Sequence, residues 1–263
     1  MTWLDKIKKS KYHLLISVIP IILVVGTIKI ACHFLGWEVI PKDLTSFFPS
    51  ILTGIIFILG FLLAGVVTDF KESEKIPNEI AASLYSLWQE ADYIRRHKNS
   101  SAAKILMEKI KLFIPTFKHD FFILENDKLQ KLLDSFTDDF IEMEKQGAAV
   151  NYITRLKADQ ANIKKIINRI IVIKKTDFVP SVFVCIQAIT MVFLIAYCLL
   201  IVEPWWGGLI LVCIFTFVIF AILFLIKDMD DPFEYDGSGE SGSDEVSLEV
   251  LDNLHKDFME KEF

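Results

Sequence analysis

No Cys-x-x-Cys pair occurs in this 263-residue sequence, and its four cysteines, Cys32, Cys185, Cys198 and Cys213, all fall inside apolar runs. That spacing excludes a zinc ribbon, a dithiol redox motif and a CxxCH haem attachment, and the thiols read as small buried hydrophobes. No basic stripe with interleaved aromatics is present, so nucleic acid is not a partner. No run of alternating β-branched residues announces a sheet. No Ser/His/Asp, Cys/His or paired-carboxylate set stands at fixed spacing, so the sequence does not read as an enzyme. Gly237, Gly239 and Gly242 formally fit GxGxxG, but no strand precedes them and acids flank them where a pyrophosphate would sit. His13 and His33 lie near the two ends of one apolar run, and no second histidine pair faces them to ligate a membrane haem.

What is present is apolar length. The chain is 53% hydrophobic, with mean hydropathy +0.43, and the excess is gathered in four runs, at 14–35, 47–67, 178–202 and 206–226. Each has the ~20 residues needed to cross a ~30 Å hydrocarbon layer as a helix. The first carries Pro20, Lys29 and His33, the third carries Gln187, and the second and fourth carry no charge. The first run is longer than the ~7–15 residues of a signal-peptide core, and no small-residue cleavage site follows, so a retained helix is expected.

Lysine and arginine near the run ends set the orientation. Lys6, Lys8, Lys9 and Lys11 precede the first run; Lys71 and Lys75 follow the second; Lys164, Lys165, Arg169, Lys174 and Lys175 precede the third; Lys227 follows the fourth. The two short connections hold only Lys42, with Trp37, Trp205 and Trp206 at the same ends. Both termini and the middle are therefore expected on the cytoplasmic side of a plasma membrane (the inner membrane in a bacterium), with the lipid bilayer as first partner. The fold class is an all-α membrane protein: an N-terminal hairpin (1–68), a cytoplasmic helical bundle (69–177), a C-terminal hairpin (178–227) and an acidic cytoplasmic tail with a short amphipathic helix (228–263).

In the middle, Ile80, Leu84, Leu87, Trp88, Ala91 and Ile94 keep helical spacing, as do Leu129, Leu132, Leu133, Phe136, Phe140 and Met143, and then Tyr152, Leu156, Ile163, Ile166, Ile167 and Ile170. Pro77 suits a first helical turn, and turns are expected at 95–101 and 146–147. So many apolar stripes suggest coverage by neighbouring copies, hence an oligomer. After Asp231-Pro232 stops the fourth span, 236–244 is a Gly, Ser and acid link. Val246, Leu248, Leu251 and Leu254 then resume a helical stripe, expected to rest on a partner surface.

Three places invite function. Lys29, about one and a half turns from the outer end of its run, either snorkels to water or charges an outer vestibule. The acids that follow the fourth span, among them Asp231, Glu234 and Asp236, either hold a hard cation such as Ca²⁺ or form a solvated tail; their spacing is not that of an EF-hand. Thr53, Phe57 and Phe61 recur every four residues on one face of the second run, with Gly54, Gly60 and Gly65 permitting close approach. Such rings are ordinary packing, or a hydrophobic constriction if several copies turn them toward a common axis.

The stretch Phe57-Ile-Leu-Gly-Phe61, with Val66-Val67-Thr68 and Glu74-Lys75-Ile76-Pro77 after it, resembles the neck helix of bestrophins. Asp231-Pro232-Phe233 and Val246-Ser-Leu-Glu-Val-Leu-Asp-Asn253 are similar to the bestrophin segment after the fourth span. The resemblance implies a pentameric ion channel with one central pore, a neck formed by Thr53, Phe57 and Phe61, and, as in the eukaryotic members, Ca²⁺ held by acids placed where Asp231, Glu234 and Asp236 stand. The sequence departs from bestrophins in having Asp69, Phe70 and Lys71 where they carry a basic residue and aromatics, and in Gly and Ser interrupting the acid run, which leaves anion against cation selectivity open. The alternative is a non-conducting membrane scaffold or sensor whose cytoplasmic helices bind a partner protein.

Overall fold

The computed structural model describes residues 13–123, 127–175, 180–230, 232–233 and 246–261. They form ten α-helices and divide into two compact units.

The first unit holds the apolar helices: α1 (His13–Phe34), most of α2 (Phe48–Ser73), α8 (Pro180–Cys198) and α9 (Trp205–Asp230), with a short 3₁₀ helix at Lys42–Phe47 leading into α2. In lipid each backbone polar group needs an internal partner, which a continuous helix supplies. The core is built from Ile55, Leu59, Leu62 and Val66 of α2, Ile186, Phe193 and Tyr197 of α8, and Val212, Ile219 and Leu223 of α9. Phe48, the first residue of α2, places its ring 5.8 Å from that of Phe193 and 5.4 Å from that of Tyr197. These four helices are each long and apolar enough to cross a membrane.

Two boundaries differ from those read in the sequence. The third apolar run leaves the helix after Cys198, because the backbone beyond it pairs with the first connection: Ile40 donates to the Leu199 carbonyl at 3.0 Å and accepts from the Ile201 amide at 3.0 Å. Gly208 is required where α9 starts against this segment, since a Cβ there would lie 2.9 Å from the Val202 Cβ. The second run, in turn, does not stop at Val67; α2 continues through Asp69, Lys71 and Glu72 to Ser73.

The second unit contains α3 (Ile76–Lys98), α4 (Ser101–Ile123), α5 (Asp127–Asp134), α6 (Phe136–Lys145), α7 (Val150–Lys175) and α10 (Glu249–Glu260). Its core is one cluster fed by the stripes read in the sequence: Ile80, Leu84, Leu87 and Ile94 from α3, Phe136, Phe140 and Met143 from α6, and Leu156, Ile163 and Ile170 from α7. α4 adds Leu106, Ile110, Phe113 and Phe117. Helix ends are set locally. Asn99, in the left-handed region at φ 51°, ends α3, so the helix runs four residues into the expected turn. The Ser100 hydroxyl then accepts the Ala103 amide at 3.1 Å and opens α4. Gly147, at φ 87°, ends α6, with the Ala148 amide reaching back to the Met143 carbonyl. The buried Asp120 accepts the Leu129 amide at 2.8 Å, covering one of the open donors at the start of α5.

The tail helix corrects an expectation. α10 does not wait for a partner surface: Leu251 and Phe258 are buried in this unit's own core, and Phe258 stacks on Trp88 at 4.3 Å with rings 12° apart. Lys118 pairs with Asp252, and Lys111 lies 5.7 Å from the centre of the Trp88 ring. The apolar stripe of the tail thus completes a core within the chain.

Candidate pore-lining helix and the Lys29 cluster

Helix α2 has two unlike sides. At about 100° per residue, Ile55, Leu59, Leu62 and Val66 fall within an arc of about 60°, and Thr53, Phe57, Phe61 and Thr68 within an arc of about 80° on the opposite side. The first set is buried, at 7% exposure or less. Phe57 and Phe61 are each 75% exposed, the highest values among the large apolar side chains of the described residues. Gly54 and Gly60 have open space where a side chain would be. The Thr53 hydroxyl donates to the Pro49 carbonyl at 2.8 Å, and that of Thr68 to the Ala64 carbonyl at 2.8 Å. Both are thereby satisfied within the helix, which lets them stand on an apolar surface without an outside partner. The structure therefore brings Thr53, Phe57 and Phe61 together as one uncovered row on a helix whose other side is anchored.

Lys29 is placed differently from either sequence alternative. Its side chain is 3% exposed, and its ammonium donates to Glu38 Oε1 at 2.6 Å, to the Leu200 carbonyl at 2.7 Å and to the Cys198 carbonyl at 3.3 Å. It neither snorkels to water nor stands in an open vestibule. The other oxygen of Glu38 lies 3.0 Å from His33 Nδ1, and the His33 ring stacks on Trp205 at 5.1 Å. Burial alone would push the Glu38 carboxyl up; hydrogen bonds from Lys29 and His33, with their charges, more than offset it and hold the group below its ordinary value of 4.5. The ammonium also caps carbonyls at the C-terminal, partially negative end of α8. Lys42 and Glu203, on the same two connections, form a looser exposed pair at 3.6 Å.

Glu38 and the two carbonyls were not singled out from the sequence. The signal for Glu38 was an acid just past the end of the first apolar run, nine residues after the one lysine inside that run; the carbonyls leave no sequence signal. Asp231, Glu234 and Asp236, on which the calcium expectation rests, lie outside the described residues. Among the described residues, no three His, Cys, Asp or Glu side chains converge as a metal-binding set.

No protein-family model matches the chain, and no curated protein does. Solved structures do. A point variant of a bacterial bestrophin homologue from Klebsiella pneumoniae aligns with a TM-score of 0.76 at 10% identity, covering 94% of this chain and 99% of that one. A second variant of that homologue aligns at 0.74 and 11% identity over 95% and 98%. A structure described as a membrane protein aligns at 0.75 and 11% identity, covering 92% and 97%. At such identity the likeness concerns the fold, and the fold is bestrophin-like.

Proposed function

We propose that this chain, with its bestrophin-like fold, is a subunit of an oligomeric, pentameric ion channel in the plasma membrane, with both termini cytoplasmic. Copies of α2 ring a water-filled axis, and Thr53, Phe57 and Phe61 form the neck. Ions pass by shedding part of their hydration at the two phenyl rings, and the neck closes by dewetting. The chemistry is transport alone, with no bond made or broken. The calcium expectation stays with Asp231, Glu234 and Asp236, and no step of this reading depends on it.

The observation that carries the reading is the uncovered Thr53–Phe57–Phe61 row, diametrically opposite the buried row of the same helix. A helix anchored on one side, with threonines satisfied internally and two phenyls left open, suits a pore wall in an assembly. The test is recording from purified, intact oligomer reconstituted in planar bilayers. Unitary currents support a channel; their absence from verified oligomers refutes it and favours the scaffold or sensor.

A further inference from the structure

The Lys29–Glu38 pair lies at the junction of four segments, and its reach goes beyond holding α1 in place. We propose that Lys29 is a positioning residue for the neck: through Glu38 it fixes where α2 begins, and so it sets how often the pore is open without setting what passes through it. This rests on the channel reading above.

Glu38 belongs to the connection that feeds α2. Within ten residues of it that connection is fixed three times: at Glu38 by Lys29 (2.6 Å), at Ile40 by the Leu199 carbonyl and the Ile201 amide (3.0 Å each), and at Phe48 by the rings of Phe193 and Tyr197. Lys29 grips both partners of the Ile40 pairing, since the same ammonium holds Glu38 on one connection and the Cys198 and Leu200 carbonyls on the other. Removing the ammonium frees Glu38 Oε1 and two carbonyls together and leaves Glu38 held by His33 alone, so the connection's first fixed point loosens and its second weakens. Phe48 remains as the last fixed point of the connection, so the start of α2 can shift and the helix can turn slightly against the core that holds Ile55, Leu59, Leu62 and Val66. A turn of the helix moves Phe57 and Phe61 around the axis together, because they share one face. It leaves their identity, and hence the chemistry met by a permeating ion, unchanged.

Arginine keeps a cation and several donors at position 29, whereas methionine keeps only the length. The experiment compares wild type, Lys29→Met, Lys29→Arg and the milder Glu38→Gln, each checked for intact oligomer, in planar bilayers. The expected result is a severalfold change in open probability for Lys29→Met, a smaller one for Glu38→Gln, partial restoration in Lys29→Arg, and unitary conductance and reversal potential unchanged in all. Amide hydrogen exchange on the same samples reads the device independently of current. The Ile40 and Ile201 amides should exchange at least tenfold faster in Lys29→Met and Glu38→Gln, with the middle of α9 unaffected. Unaltered exchange at Ile40 and Ile201 overturns the proposal, as does altered conductance or selectivity with open probability unchanged. If wild type carries no current, the channel reading fails by itself, and faster exchange in the two connections and in the first turn of α2, with the middle of α9 unaffected, still upholds Lys29 as the residue that positions that helix; exchange unchanged in that turn refutes it.

Discussion

Exchanging Phe57 and Leu59 for alanine, one at a time, should give opposite phenotypes although the two residues are two positions apart on one helix. Phe57 is 75% exposed within its chain, so only about a quarter of the ~150–250 Å² that a buried aromatic removes from solvent is covered there. At ~25 cal/mol per Å² this is about 1–1.5 kcal/mol, an upper value because lipid tails solvate exposed rings in the dissociated chain. Leu59 is 0% exposed in the core shared with α8 and α9, and its truncation costs about 2–5 kcal/mol. Phe57→Ala should therefore melt close to wild type in detergent and raise unitary conductance. Removing ~1.4 kcal/mol from the dewetting barrier would raise the ion-crossing rate about tenfold. Leu59→Ala should melt well below wild type and, where oligomers survive, conduct as wild type does. Melting by intrinsic fluorescence and single-channel recording on the same preparations decide the matter. An unchanged current in Phe57→Ala, with a melting loss as large as that of Leu59→Ala, would refute the assignment of the two faces.

Other outcomes follow from the same geometry. Lys29→Met leaves the half-buried Glu38 carboxylate with His33 as its remaining side-chain partner and should cost about 1–3 kcal/mol in a detergent melt, with Glu38→Gln costing less. Because the Glu38 carboxyl is held below 4.5, its folded-state contribution is present above that pH and is lost as pH falls through the lowered value. The melting advantage of wild type over Glu38→Gln should thus be constant from pH 7 to about pH 5 and shrink below it. Phe258→Ala, at a fully buried ring stacked on Trp88, should cost about 3–5 kcal/mol and expose α10 to limited proteolysis. Gly147→Ala, at φ 87°, should cost about 1 kcal/mol in the same melt.

The helical character of the chain was legible because its signals are local. Apolar runs of spanning length and three-and-four spacing at Ile80, Leu84, Leu87 and Ile94 are properties of consecutive residues, and the folded chain buries those residues. Where partners are distant in sequence, reading failed. Leu251 and Phe258 form an apolar stripe whichever surface covers it, and nothing in the stripe says that the surface is Trp88 and its neighbours. Lys29 shows the same limit: its environment is made by Glu38 and by carbonyls about 170 residues away, and backbone carbonyls exist at every position. Thr53, Phe57 and Phe61 could be placed on one face by spacing. That this face is the uncovered one depends on which side Ile55 and Leu59 bury, a matter of tertiary packing.

The most direct measurement is a particle reconstruction of the purified protein in lipid nanodiscs, viewed along the membrane normal. A ring of copies with Phe57 and Phe61 of every α2 turned toward a central water-filled path is the result expected. Phenyl rings turned outward onto acyl chains, or particles with no central axis, would contradict it.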